Sequence, residues 1–408
     1  MQRTFKSTKI ACYIGYFVQA IINNLSPILF IIFSEQLGIS LNQIGTLILV
    51  NFLSQAVVDV LSVKIVDRIG YKKIILASHA FATVGLVCLG VLPLLFPKYA
   101  FGLLAFSTTI SALGSGMIEV TISPIVDSIP SDRKEADMSL LHSFYCWGQM
   151  AVVLFSTIFI KLFGNAYWFC LPILWALIPL CNLFNFMTVP FMPTLKENEK
   201  TPVKALLHDT AFRVAMVLML CGGAAEIAMA QWASYFAETG LGVSKMMGDL
   251  LGPCMFAVLM GCGRLFFGLY GDKIDLKKAM LSCAILCTLC YAATGLSHNP
   301  FIALLGCALA GLSVSLFWPG TFSIVSGLFP KGGASMFGLL AILGDIGCSA
   351  GPSLLTAVSS VAQMNNSMLS DGAALKIGFT VATLFPIVVA ISLLFLMKDE
   401  KRKLDRKN

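Results

Sequence analysis

Charge is what this chain has least of. Asp, Glu, Lys and Arg supply 12% of its 408 residues, about half the share of a soluble domain. They are also clustered: 10–34, 74–97, 138–160 and 162–195 contain none, and neither does the stretch 279–330. A helix of about 20 apolar residues crosses a bilayer, and the mean hydropathy here is +0.85. The charge-free runs therefore read as membrane spans, some of them double, and no soluble domain fits between them. Catalytic signatures are missing too. There is no H-E-x-x-H, no G-x-S-G and no Gly-rich phosphate loop, which leaves an intramembrane enzyme as a remote reading. The 13 cysteines are scattered through the spans. Cys287 and Cys290 form a C-x-x-C inside one span, where small apolar packing residues belong. A disulfide framework needs exposed loops and a zinc site needs clustered ligands, so neither a metal nor a cofactor is expected. No cleavable leader is expected either, because the first apolar run is too long and no A-x-A site follows it.

What is present is an all-α membrane protein of twelve helices, at 9–33, 42–63, 74–96, 100–126, 138–160, 165–190, 211–237, 247–270, 279–297, 300–328, 335–360 and 374–397. The net charge of +7 raises the question of nucleic acid, and its placement answers it. With the N-terminus inside, 24 of the 28 Lys and Arg fall on cytoplasmic segments, leaving Lys98, Lys161, Lys245 and Lys376 outside. That is the positive-inside asymmetry. It predicts both termini in the cytoplasm of a cell that carries the protein in its plasma membrane. The basic tail 398–408 is then a membrane-surface anchor, with no nucleic-acid partner.

The chain also repeats itself. "VDRIGYKK" at 66–73 returns as "GDKIDLKK" at 271–278, and "LGIS" at 37–40 returns as "LGVS" at 241–244. Two six-helix halves follow, 1–190 and 211–397, joined by a linker at 191–210. A two-half plan of this kind places a secondary transporter's substrate at the midplane between halves.

The segment "VKIVDRIGYKK" (63–73) is similar to the loop between spans two and three of the major facilitator superfamily, keeping Asp67, Arg68, Gly70, Lys72 and Lys73. The second copy keeps Gly268, Asp272, Lys277 and Lys278 but carries Asp275 where the family has its second Gly. The resemblance implies that Asp67, Arg68, Asp272 and Lys273 gate the inward-facing state, with Asp59 and Arg264, one before each copy and opposite in sign, in the same network. Plain membrane anchoring is the simpler alternative. A narrower likeness rests on "LGSGMIEVTISP" (113–124), "LHSFYCWGQ" (141–149) and "GGAAEIAMAQWASYF" (222–236), which resemble spans four, five and seven of the fucose–proton symporter group. That group has an Asp in span one, where this chain has Asn23 and Asn24. The likeness implies proton-coupled import of a sugar or other small neutral polar solute by a monomer, with sodium as the other possible coupling ion. The nearest rival is a proton-coupled antiporter exporting drugs or other small organic compounds. Its usual G-x-x-x-G-P stretch in span five is missing here.

An ionisable residue at membrane depth costs at least ~2.5–3.5 kcal/mol on insertion scales and is functional by default. Glu119 and His142 lie on consecutive spans, about 12 Å and 7–8 Å from the cytoplasmic ends at 1.5 Å per residue, so they are candidates to meet and exchange a proton. Asp345 is a second candidate for the coupling proton. Tyr16, Gln19, Asn23 and Asn24 on span one, Gln149 on span five, and Glu226, Gln231 and Trp232 on span seven are the substrate candidates, with Trp318 on span ten as a further ring. Amides bond hydroxyls, and indole faces stack on sugar C–H groups. Gly347 and Gly351 form a G-x-x-x-G in span eleven that permits close helix packing.

Overall fold

The computed structural model describes residues 4–130, 134–191, 202–271, 274–297, 299–329 and 333–405. Among these residues every regular element is helical. Twelve helical stretches are long and apolar enough to cross a membrane, so the expected number stands. The first half is α1 (Phe5–Leu37), α2 (Leu41–Ile69), α3 (Tyr71–Leu95), α4 (Ala100–Ser128), α5 (Lys134–Phe163), α6 (Cys170–Trp175) and α7 (Leu177–Thr188). Past the short α8 (Val203–His208) come α9 (Thr210–Leu241), α10 (Lys245–Asp249), α11 (Met255–Tyr270), α12 (Leu276–Leu296), α13 (Pro300–Val314), α14 (Phe317–Leu328), α15 (Gly333–Asn365), α16 (Asp371–Ala382) and α17 (Leu384–Asp405).

Spans six, eight, ten and twelve differ from the single helices expected. Each is interrupted, and a proline explains each break. Proline has no N–H and clashes with the carbonyl four residues back. Pro179 sits just beyond the α6–α7 break, Pro319 beyond α13–α14 and Pro386 beyond α16–α17, while Pro253 lies in a π-turn at Leu250–Cys254 between α10 and α11. The segment 66–73, expected as a loop, is mostly helix: α2 runs to Ile69 and α3 begins at Tyr71, with only Gly70 between them at φ 85°. In the second copy the turn is made differently. Asp275 caps α12 by accepting from the Lys278 N–H at 3.2 Å, which is what the substitution of a glycine by aspartate provides there.

The short repeat maps onto matched geometry. Gly38 and Gly242 close α1 and α9 in the left-handed region at φ 67° and 66°, a helix ending that glycine accepts without penalty. In each copy the next residue, Ile39 or Val243, sends its N–H to the same carbonyl as the glycine, on Phe33 or Ala237. The following serine then starts the next helix, Ser40 with Gln43 and Ser244 with Met247. Helix α15 packs along α9, where a Cβ on Gly347 or Gly351 would overlap the carbonyls of Leu220 and Ala224. Spans one to six meet spans seven to twelve chiefly where α2 packs on α15, α5 on α10 and α11, and α1 on α9.

Candidate functional site

Polar residues four apart on neighbouring spans build the centre. Asn23 of α1 is the hub. Its Oδ1 accepts from Asn51 Nδ2 and Gln55 Nε2 of α2, both at 3.0 Å. Gln55 Oε1 in turn accepts from Ser115 of α4 at 2.6 Å. Tyr145 of α5 accepts from Asn24 at 3.3 Å and from Asn23 at 3.5 Å. One turn away, Gln19 donates to Glu119 Oε2 at 2.7 Å. These amides are buried, and buried polar groups must find partners, so the side chains hold one another in place.

Prolines extend this network across the molecule. Pro27 cannot donate to the Asn23 carbonyl, and that carbonyl accepts from Gln231 of α9 at 2.6 Å. Pro319 likewise frees the Ser315 carbonyl, which accepts from Arg264 Nε at 3.3 Å. Spans tolerate prolines when neighbouring side chains satisfy the released backbone. Here the satisfying groups are residues already picked out by their chemistry.

Around this centre the buried charges form two groups. Arg264 Nη2 lies 3.5 Å from Glu226 Oε2, and its Nη1 reaches the His142 carbonyl and Cys146 Sγ on α5 at 3.4 and 3.3 Å. The base placed near the inner face from sequence thus extends inward to the acid placed at midplane. It does not join Asp59. Asp59 instead gathers with Glu119 and Asp345, one carboxylate oxygen from each lying within 4.8 Å of the others. Glu119 and His142 are not hydrogen-bonded to each other among the described residues. The His142 ring packs on Tyr16 with centroids 5.0 Å apart, and Tyr16 OH bonds Ser123 at 2.8 Å. The side chains at positions 67 and 68, and residues 272 and 273, lie outside the described residues, so four of the expected gating residues have no structural placement.

Both candidate indoles pack against neighbouring residues. Trp232 is fully buried between Phe30 and Tyr235, at centroid distances of 6.1 and 5.8 Å. Trp318 lies against Phe322 and Gly344. Gln149 is buried with its Nε2 lacking a hydrogen-bond partner among the described residues. Sequence reasoning missed Asn51, Gln55, Ser115 and Tyr145. It also missed Asp249, which is buried, accepts from Thr157 at 2.9 Å and from Ser234, and pairs with Lys245 at 3.5 Å. A signal for most of them was present: Asn51, Gln55 and Asp59 form an i, i+4 stripe on α2, as Ser111, Ser115, Glu119 and Ser123 do on α4.

Residues 12–352 match the family model of the Major Facilitator Superfamily, and the chain belongs to that family. It is a multi-pass membrane transporter with the fold of its relatives. Among solved structures it is similar to a variant of the E. coli fucose:proton symporter FucP, at 17% identity and a TM-score of 0.68, with 97% of this chain and 99% of that one covered. It is equally similar to FucP in the outward conformation, at 16% identity and a TM-score of 0.68, covering 95% and 98% of the two chains. No curated protein matches it.

Proposed function

We propose that the protein imports a sugar or another small neutral polar solute together with protons, by alternating access between two six-helix halves at 1–190 and 211–397. The observation that carries this reading is the buried set of linked amides from Asn23 and Asn24 through Asn51 and Gln55 to Gln231, with the Gln19–Glu119 pair one turn away. Amides both donate and accept, so a polyol can exchange its hydroxyls for contacts these side chains make with one another. Glu226 is paired to Arg264, which leaves no unpaired base in this group to attract an anion. The fold shared with a fucose:proton symporter supports the same class of solute.

In this reading Glu119, half-buried beside Gln19, carries the coupling proton, and His142, on the next span, lines the route. Gln19, Asn23, Asn24, Gln149, Glu226 and Gln231 hold the solute. Trp232 shapes the wall from behind. The protein works as a monomer in the plasma membrane with both termini in the cytoplasm. The test is counterflow in reconstituted vesicles against a panel of labelled hexoses, pentoses and polyols. At least one should exchange and be displaced by its unlabelled form. Exchange of lipophilic cations with no sugar exchanged would replace this reading with drug export.

A further inference from the structure

We infer that Asp59, Glu119 and Asp345 form one proton-sharing site built by both halves, and that a proton held there fastens α2 to α15. The inference rests on the proton-coupled reading above and deepens it: the coupling group is a cluster, and it doubles as a closure between halves.

Three observations carry it. First, the three acids converge from three spans at one depth. Asp59 is ten residues before the end of α2, Glu119 nine before the end of α4 and Asp345 twelve after the start of α15, or about 13–18 Å at 1.5 Å per residue from ends on the same side. Second, Asp59 and Asp345 are 0% and 3% exposed, and like charges so close cannot all remain ionised. Third, the group is short of hydrogen-bond donors. Both oxygens of Asp59 and Oδ2 of Asp345 have no donor among the described residues. Gln19 lies outside the acidic cluster and is 4% exposed, and its amide is held at the cluster by the bond to Glu119. Its Oε1 has no donor among the described residues either. Each protonated carboxyl contributes one O–H to such acceptors.

The surrounding charges do not neutralise the cluster. Arg264 of α11 is engaged by Glu226 of α9, and Glu226 itself faces Glu119. From α1 the facing group is Tyr16, from α15 it is Cys348, and neither carries a positive charge. His142 of α5 faces Arg264. One sodium ion would leave two of three negative charges in place, whereas protons neutralise the carboxylates singly. Glu119, the member that is only half-buried, is where protons enter.

With the site loaded, an O–H bridges Asp59 to Asp345. With it empty, the carboxylates repel and α2 parts from α15. The experiment is a distance measurement by electron–electron double resonance, on noncanonical spin-labelled residues at Leu61 and Ile346 in nanodiscs without sugar. Both positions are exposed and lie next to the acids. The wild type should give a short distance at low pH that lengthens as the pH rises. Asp345→Asn supplies its own N–H to Asp59, so it should hold the short distance at every pH. Asp59→Asn should do the same and serves as the second variant if one fails to fold. A wild-type distance that ignores pH, or one that follows sodium at fixed pH, overturns the inference. Because no sugar is present, a pH-dependent distance in a protein that fails counterflow would refute the sugar reading and leave this site standing.

Discussion

At the scale of single residues, Glu119 and Glu226 are expected to fail in different ways. Glu119→Gln keeps the shape of the protonated acid and its bond to Gln19. It should lose uphill accumulation while retaining exchange, which needs no net proton release. Glu226→Gln removes the partner of a buried guanidinium, and breaking a buried pair on one side costs about 3–5 kcal/mol. That variant should melt at a clearly lower temperature in detergent and bind solute about 10–100-fold more weakly, since a charge-assisted hydrogen bond contributes ~1.5–3 kcal/mol. Thermal shift and counterflow affinity, measured on both variants, separate the two roles. Normal accumulation in Glu119→Gln would remove the proton from that residue.

At the scale of helices, the prolines and glycines govern the contacts. Pro27→Ala restores a donor to the Asn23 carbonyl and competes with Gln231 for it. The helix itself should tolerate the change, because a proline inside a helix costs it ~3 kcal/mol. Exchange should fall even so, since the Gln231 bond between α1 and α9 is weakened; unchanged counterflow kinetics would show that this bond is incidental. Gly347→Val forces side-chain atoms into the Leu220 carbonyl and should lower the melting temperature more than any substitution on the lipid face. The apolar runs showed where the spans lie, because burial in lipid leaves charge nowhere else to go. The glycines of "LGIS" and "LGVS" close α1 and α9 four residues beyond the ends expected at 33 and 237. What sequence alone obscured was the partner of each polar group. Arg264 lies beside the repeat and was paired by position with Asp59, but its long side chain reaches Glu226. Glu119 and His142 are close in sequence and depth, yet Gln19 and Tyr16 are the groups that contact them. Contacts of that kind depend on helix rotation, which spacing along one span does not fix.

At the scale of the whole molecule, the charge asymmetry predicts which ends face the cytoplasm. A cysteine introduced at Lys278 should be shielded from impermeant maleimide in intact cells, and one at Asn299 should react. Both positions are exposed at span ends. The reverse pattern would invert the orientation. The most direct test of proton-coupled import is accumulation in vesicles reconstituted with the wild type. With a solute that passes counterflow, an inwardly directed proton gradient should drive its concentration inside above that outside, and a protonophore should collapse it to equality. Equal concentrations with the gradient intact, or accumulation that depends on sodium and persists with the protonophore, would contradict proton coupling.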